Sequence, residues 1–261
     1  MMVENCCGDC CRDTHRMTTA NTTTITPPAA PAAAGGGVTR EQLKQRTDQR
    51  ILSEWIAPDS RVLDLGCGPG LLLEHLQHAK GAQVVGVDSD LHSVIGCVGR
   101  GVTAYQGDIS KVLDFYPADS FDWVVCSRTV QELAEPWQVL ERALVVGRHV
   151  AVGFVNHGFW INRWNMFRHG HRVRNEVYPE PWYKSRPSNP VAIGDFEEFC
   201  AAVGARVTRR AYLAGDWNTP CQFWPKLLAG YALYEFTRAR GGVFSPRRRE
   251  GQKSENHGLH G

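Results

Sequence analysis

Residues 62–70 read V-L-D-L-G-C-G-P-G, and the leucine-rich stretch L-L-L-E-H-L-Q-H-A-K follows at 71–80. An apolar run carrying Asp64, then glycines at 66, 68 and 70, then a helix-like segment predict a buried strand, a tight loop and a helix. In that arrangement backbone N–H groups at the loop and the helix start face a ligand. Glycine suits such a loop because it adopts positive φ and brings no Cβ into the ligand's space. The dinucleotide pattern G-x-G-x-x-G would place its third glycine at position 71, which is Leu71. The loop therefore points away from a pyrophosphate. Asp64, two residues before Gly66, offers a carboxylate to a ligand that carries an ammonium group.

The flanking sequence repeats the pattern. Residues 82–88, A-Q-V-V-G-V-D, form a second short apolar strand ending in Asp88, with Ser89 after it. Asp88 lies roughly 20 residues beyond the loop, where a nucleotide-binding unit places an acid on ribose hydroxyls. Asp88 also competes for the role of a helix cap, for which Asp90 is the better placed residue. Residues 102–105 are strand-like and lead into Gln106-Gly107-Asp108-Ile109. Residues 121–127, F-D-W-V-V-C-S, are a fourth strand ending at Ser127. This strand–helix alternation runs to about residue 153. It predicts an α/β fold with a doubly wound, mostly parallel sheet in a single domain, Rossmann-like, with ligands at the carboxyl ends of the strands. The expected cofactor is S-adenosyl-L-methionine. The candidate cofactor-binding residues are Asp64, Gly66, Cys67, Gly68, Gly70, Asp88, Ser89, Asp108, Ile109 and Ser127, with Cys67 offering its backbone amide. Arg128 and Thr129 follow the fourth strand. Arg128 reads equally as a bidentate binder of a substrate carboxylate and as a surface arginine.

The ordered strings D-L-G-C-G-P-G, V-D-S, G-D-I and F-D-W-V-V resemble the class I S-adenosylmethionine-dependent methyltransferases. Longer stretches narrow the resemblance. They are T-D-Q-R-I-L-S-E-W-I-A-P-D-S-R ahead of the loop from residue 47, S-R-T-V-Q-E-L at 127–133, V-L-E-R-A-L-V-V-G-R-H at 139–149, V-N-H-G-F-W-I-N-R-W at 155–164, P-W-Y at 181–183 and D-F-E-E-F-C at 195–200. Together they resemble the methionine-biosynthesis MetW family from about residue 40 to about residue 238. The family has Pro-Asn where this chain has Val155-Asn156, and an Asn-Ile-His-type segment where it has Ser188-Asn189-Pro190-Val191. The resemblance implies the methyltransferase fold, a role for Asp108 on the adenine amino group, and association with homoserine O-acyltransferase in methionine biosynthesis. The Asn/Asp-Pro-Pro-Tyr element of amino-directed nucleic-acid methyltransferases is missing, and no obvious general base follows Ser127. Two readings stand: a binding module that reports S-adenosylmethionine, or a methyltransferase acting on an unidentified small acceptor. RNA methylation is a third, resting only on the aromatic–basic stretch at 159–174. Catalytic residues are not assigned.

Composition bounds the rest. The 261 residues, 43% hydrophobic, suffice for one α/β domain with tails. A net charge of +2 and a pI near 8.1 give no pull toward nucleic acid or an acidic membrane. No apolar run approaches the roughly 20 residues of a membrane span, and the first residues lack a secretory pattern. Of nine cysteines, Cys67, Cys97, Cys126 and Cys200 fall inside predicted elements as reduced small hydrophobes. A cytoplasmic location is expected.

Residues 1–38 are expected to be a disordered extension. It is Thr/Pro/Ala/Gly-rich in its second half, and in its first half it carries Cys6, Cys7, Cys10 and Cys11, a spacing open to zinc but without a second ligand pair. The domain is expected at 39–240, opening on a helix capped by Thr39 and stopped by Pro58, and closing on helices at 193–203 and 227–238 that flank a strand at 205–212. Residues 241–261 are expected to be a disordered polar tail. The stretch 159–174 interleaves Trp160, Trp164 and Phe167 with Arg163, Arg168, Arg172 and Arg174. It is expected to pack as an amphipathic helix on the sheet's edge, with a docking surface as the alternative. His169 and His171 lack a third ligand, so no metal is assigned.

Overall fold

The computed structural model describes residues 40–170, 180, 183–184 and 188–239. The expectations for residues 1–38, for the Thr39 cap, for His171, Arg172 and Arg174 and for residues 241–261 lie outside the described residues.

Helix α1 (Arg40–Trp55) leads into β1 (Arg61–Leu65), α2 (Leu71–Lys80), β2 (Gln83–Asp88), α3 (Leu91–Gly99) and β3 (Thr103–Gln106). The short α4 (Ile109–Val112) precedes β4 (Phe121–Ser127), α5 (Pro136–Val146), β5 (Gly147–Val155) and α6 (Trp160–His169). Then come α7 (Ile193–Ala202), β6 (Ala205–Leu213), the single turn α8 (Pro225–Leu228) and β7 (Tyr231–Arg238). The strands form one sheet in the order β3-β2-β1-β4-β5-β7-β6. β1 to β5 pair in parallel. β7 runs antiparallel to both of its neighbours, β5 and β6.

Strand alternation sorts the core into two layers, because successive side chains leave a strand on opposite faces. Leu63, Leu65, Val124, Cys126, Val150, Val152 and Phe154 face one layer, with Leu140 and Leu144 of α5 and Phe196 of α7. Val62, Trp123, Val125 and Ala151 face the other, with Leu52 of α1, Leu73 and Leu76 of α2 and Cys97 of α3. By the same parity Asp64 shares the face of Val62, beneath α1. Helices thus cover both faces, as the alternation predicts. β1 and β4 lie side by side although β2 and β3 intervene in sequence. A sheet wound outward in both directions opens a crevice at the carboxyl ends of that central pair.

Two expectations fail. Residues 227–238 are not a helix but α8 followed by β7. Six consecutive residues of Y-A-L-Y-E-F are buried, because an interior strand is covered on both faces. It therefore shows no alternation, and periodicity alone does not separate it from a buried helix. The aromatic stretch does form a helix, but α6 does not bury an apolar face. Only Asn162 within it is buried, while Trp160, Ile161, Trp164, Met166 and Phe167 are all exposed. Asn162 Nδ2 donates to the Asn156 carbonyl (3.4 Å) and Arg163 Nε to that of Gly158 (2.7 Å), so polar contacts hold the helix in place.

Candidate functional site

The glycine loop sits where β1 meets α2, and its shape follows from where its amides go. The Gly66 and Cys67 N–H groups both donate to the Val87 carbonyl (2.8 and 3.2 Å), tying the loop to β2. The Cys67 amide is therefore spent inside the protein and not offered to a ligand, contrary to the sequence expectation. The Gly68 N–H donates to Asp88 Oδ2 (2.8 Å), and Asp88 Oδ1 accepts from the Asp90 N–H (2.9 Å). Asp88 thus braces the loop from the end of β2, while Asp90 is the cap of α3, as expected.

All three glycines have positive φ, but for different reasons. A Cβ on Gly66 would lie 2.1 Å from Thr129 Oγ1, and one on Gly70 2.7 Å from Cys97 Sγ. These two allow the loop and helix to pack closely. A Cβ on Gly68 would meet nothing within 4 Å, so this is the position where the backbone is left open to a ligand.

A cleft of about 290 Å³ opens above the loop, near the lower end of small-molecule sites, which run from roughly 300 Å³ upward. Of the sequence candidates, Asp64, Gly66, Cys67, Gly68, Asp88, Ser89, Ile109 and Ser127 line it. Gly70 and Asp108 do not. Gly70 is buried as the first residue of the α2 turn. Asp108 caps α4, its Oδ1 accepting from the Ser110 N–H and hydroxyl (2.9 and 2.7 Å).

The acids of the cleft are unequally charged. Burial first, and the neighbouring Asp88 carboxylate second, push the Asp64 carboxyl up to about 7. The unfolded chain ionises in the ordinary carboxylate range. Asp64 therefore contributes its full stability below that range and loses it as pH rises through about 7. A cationic ligand that needs this carboxylate must expel a proton at lower pH. Its affinity should fall below about pH 7 by up to about tenfold per unit, with proton release on binding. Calorimetry in buffers of differing ionisation enthalpy measures this, and a flat profile between about pH 6 and 8 would contradict it.

Residues of α1 that were not among the site candidates from sequence also line the cleft: Asp48, Gln49 and Leu52. Asp48 is 2% exposed. Its Oδ2 accepts from Arg128 Nε at 2.9 Å and its Oδ1 from the Gln49 N–H at 3.0 Å. Arg128 has φ +64°, and its N–H donates to the Gly153 carbonyl at 2.8 Å. Its guanidinium lies 5.3 Å from the Trp217 ring centroid and 5.7 Å from that of Tyr231. The Tyr231 hydroxyl in turn bonds Ser127 Oγ at 3.0 Å. Arg128 is therefore no free surface side chain, and with Nε committed to Asp48 its guanidinium is only partly available. The divergent 188–191 segment is fastened nearby: the Asn189 N–H donates to the Gln131 carbonyl and its Nδ2 to the Leu133 carbonyl (2.7 and 2.6 Å). Among the described residues no group of His, Cys, Asp and Glu is arranged to hold a metal.

Residues 46–236 match the family of methionine biosynthesis protein MetW. The chain belongs to the MetW family. It is 28% identical over 131 residues to the bifunctional methionine biosynthesis protein MetXA/MetW of Rhodopirellula baltica, covering 47% of this chain and 21% of that one. It is 30% identical over 164 residues to a trans-aconitate 2-methyltransferase of Mycobacterium sp. strain KMS, covering 61% of this chain and 60% of that one. The chain thus spans less than two thirds of either relative. In fold it resembles a Thermotoga maritima S-adenosylmethionine-dependent methyltransferase (TM-score 0.55, 14% identity, 77% and 93% of the two chains). A second likeness is an Archaeoglobus fulgidus enzyme of the same description (0.54, 15%, 77% and 95%). The fold of this MetW-family chain is that of the class I methyltransferases. Among the described residues no helix is long and apolar enough to cross a membrane.

Proposed function

We propose that this MetW-family chain binds S-adenosyl-L-methionine in the cleft and works in methionine biosynthesis alongside homoserine O-acyltransferase. One observation carries the cofactor: Asp64, Asp88 and Ser127, with Ile109 just past the next strand, gather at neighbouring strand ends around a loop in which Gly68, alone of its three glycines, has open space beside it. The donor set fits the ligand. Five acids line the cleft (Asp48, Asp64, Asp88, Asp90 and Glu132), and the ligand carries a sulfonium and an ammonium. On this reading Asp88 takes the ribose hydroxyls and Ile109, one residue after Asp108, packs on the adenine. When bound, the cofactor supplies an electrophilic methyl group.

Support for the partner comes from the R. baltica relative, whose name joins MetXA and MetW in one chain, and from the exposed aromatic face of α6. A second reading, methyl transfer to a small acceptor, draws on the 30% identity to a trans-aconitate 2-methyltransferase. A carboxylate acceptor needs no general base, since it is already ionised.

Asp88→Ala should weaken S-adenosylhomocysteine binding by about 1.5–3 kcal/mol through lost hydrogen bonds to a charged acceptor. Equal calorimetric affinities for wild type and variant would remove Asp88 from the site. For the partner, Trp164 is 55% exposed, so Trp164→Ala should leave stability within about 0.5 kcal/mol. The same change should weaken the complex with the acyltransferase by about 2 kcal/mol, the loss expected of an interface anchor. Co-purification unchanged by the substitution would exclude this face, and no association of the wild type would exclude the partner.

A further inference from the structure

Arg128 has features that cofactor binding as described does not use. A non-glycine residue at φ +64° persists only where its surroundings hold it there. Arg128 is held by its backbone bond to Gly153, by Nε on Asp48, and by the rings of Trp217 and Tyr231 against its guanidinium. Its Nη2 is buried and makes no well-formed hydrogen bond, although the Tyr231 hydroxyl lies close enough to interact with the guanidinium. The Arg128 side chain as a whole is 27% exposed, so its positive charge is not fully enclosed. Arg128 is also the one cation among the described residues that line the cleft.

Its position fixes what it would meet. Ile109 follows β3, Asp88 ends β2, the glycine loop follows β1 and Arg128 follows β4, on four strands adjacent in the sheet. Strands lie about 4.8 Å apart, so the row from Ile109 to Arg128 spans about 14 Å. With its adenosine at Asp88, a nucleoside joined to an amino acid would extend along that row toward Arg128. A carboxylate at its far end would enter a cleft of five acids, where Arg128 alone among the described lining residues offers the opposite charge.

We propose that Arg128 is the carboxylate-binding residue of this cleft, donating from the guanidinium N–H groups that Asp48 leaves free to the α-carboxylate of the methionine moiety, with Asp48 as the positioning residue that orients the guanidinium. The proposal rests on the S-adenosylmethionine reading above. It also gives α1 a function, since the helix carries the acid that aims Arg128.

The test compares S-adenosylmethionine with its decarboxylated form, which keeps the sulfonium and the amine and lacks only the carboxylate. Titration calorimetry on the full-length wild type should show a preference of about tenfold to a hundredfold for the carboxylate form, the scale of a hydrogen bond to a charged group. In Arg128→Gln that preference should shrink to within about threefold, with affinity for the decarboxylated ligand near wild type. Should Arg128→Gln fail to fold because Asp48 is left buried without its partner, the pair Arg128→Gln with Asp48→Asn removes both charges and should show the same loss of preference. A preference that survives in the variants places the carboxylate elsewhere and overturns the proposal. Equal binding of the two ligands by the wild type also overturns it, while the cofactor reading stands. If the wild type binds neither ligand, the cofactor reading falls and this proposal with it.

Discussion

Replacing Asp48 with alanine should destabilise the protein by about 3 kcal/mol, a fall in Tm of roughly 6–12 °C for a domain of this size. Removing one partner of a buried ion pair strands the other, and that penalty exceeds what the intact pair contributes. Asp48 is the more deeply buried member, with its side chain 3% exposed against 27% for Arg128. The residual access of Arg128 to water sets the expectation at the low end of the roughly 3–5 kcal/mol seen for fully buried pairs. The carboxyl of Asp48 is itself raised, because burial outweighs the attraction of Arg128. Asp48→Ala combined with Arg128→Met should recover much of the loss, since apolar groups of similar volume often replace a buried pair at little cost. Thermal melts of the single and double variants decide the matter. A loss below about 1 kcal/mol for Asp48→Ala would mean that water already screens the pair.

Gly66→Ala should cost about 3–4 kcal/mol, combining left-handed backbone strain with overpacking. At φ +79° the new Cβ would overlap the whole Thr129 side chain, with Oγ1 at 2.1 Å, Cγ2 at 2.7 Å and Cβ at 2.9 Å. Threonine is branched at Cβ, so no rotamer withdraws all three atoms. Gly68→Ala is the control built into the same loop. Its φ is also positive, +53°, but its Cβ meets nothing within 4 Å, so it should lose only the strain of about 1–2 kcal/mol. Denaturant unfolding of the two variants isolates packing from backbone strain. Equal losses would show that Thr129 yields.

Much of the sheet is written locally. In β1, β2 and β4 a short apolar run ends in or near a polar residue, and the glycines after Leu65 mark a turn that few other residues allow. Asp64, Asp88 and Ser127 could be placed in one cleft from sequence because parallel strands bring their carboxyl ends together whatever the side chains are. The remainder depended on contacts between distant residues. Asp48 and Arg128 are 80 positions apart, and nothing in T-D-Q-R marks its aspartate as buried. Arg128 stood undecided between surface and site because its surroundings, Trp217 and Tyr231, arrive from a strand and a turn far along the chain. Tyr231–Arg238 was misread because burial on both faces erases the period that distinguishes a strand. α6 was misread for the opposite reason: its aromatics suit a core-facing helix, yet they stay exposed and the helix is held by the polar contacts of Asn162 and Arg163.

β7 follows β6 in the chain yet lies inside the sheet, between β5 and β6. The sheet therefore cannot grow outward one strand at a time. Until residues 231–238 are made, the free edge of β5 has no permanent neighbour, and the nascent protein carries an adhesive margin that invites pairing with other chains. Insertion of β7 closes that margin and in the same event delivers Tyr231 to Ser127 and Arg128. Completion of the architecture and the fixing of two cleft residues are thus one step, so a chain stalled short of residue 231 would be sticky and would leave Ser127 and Arg128 without the hydroxyl and ring that hold them.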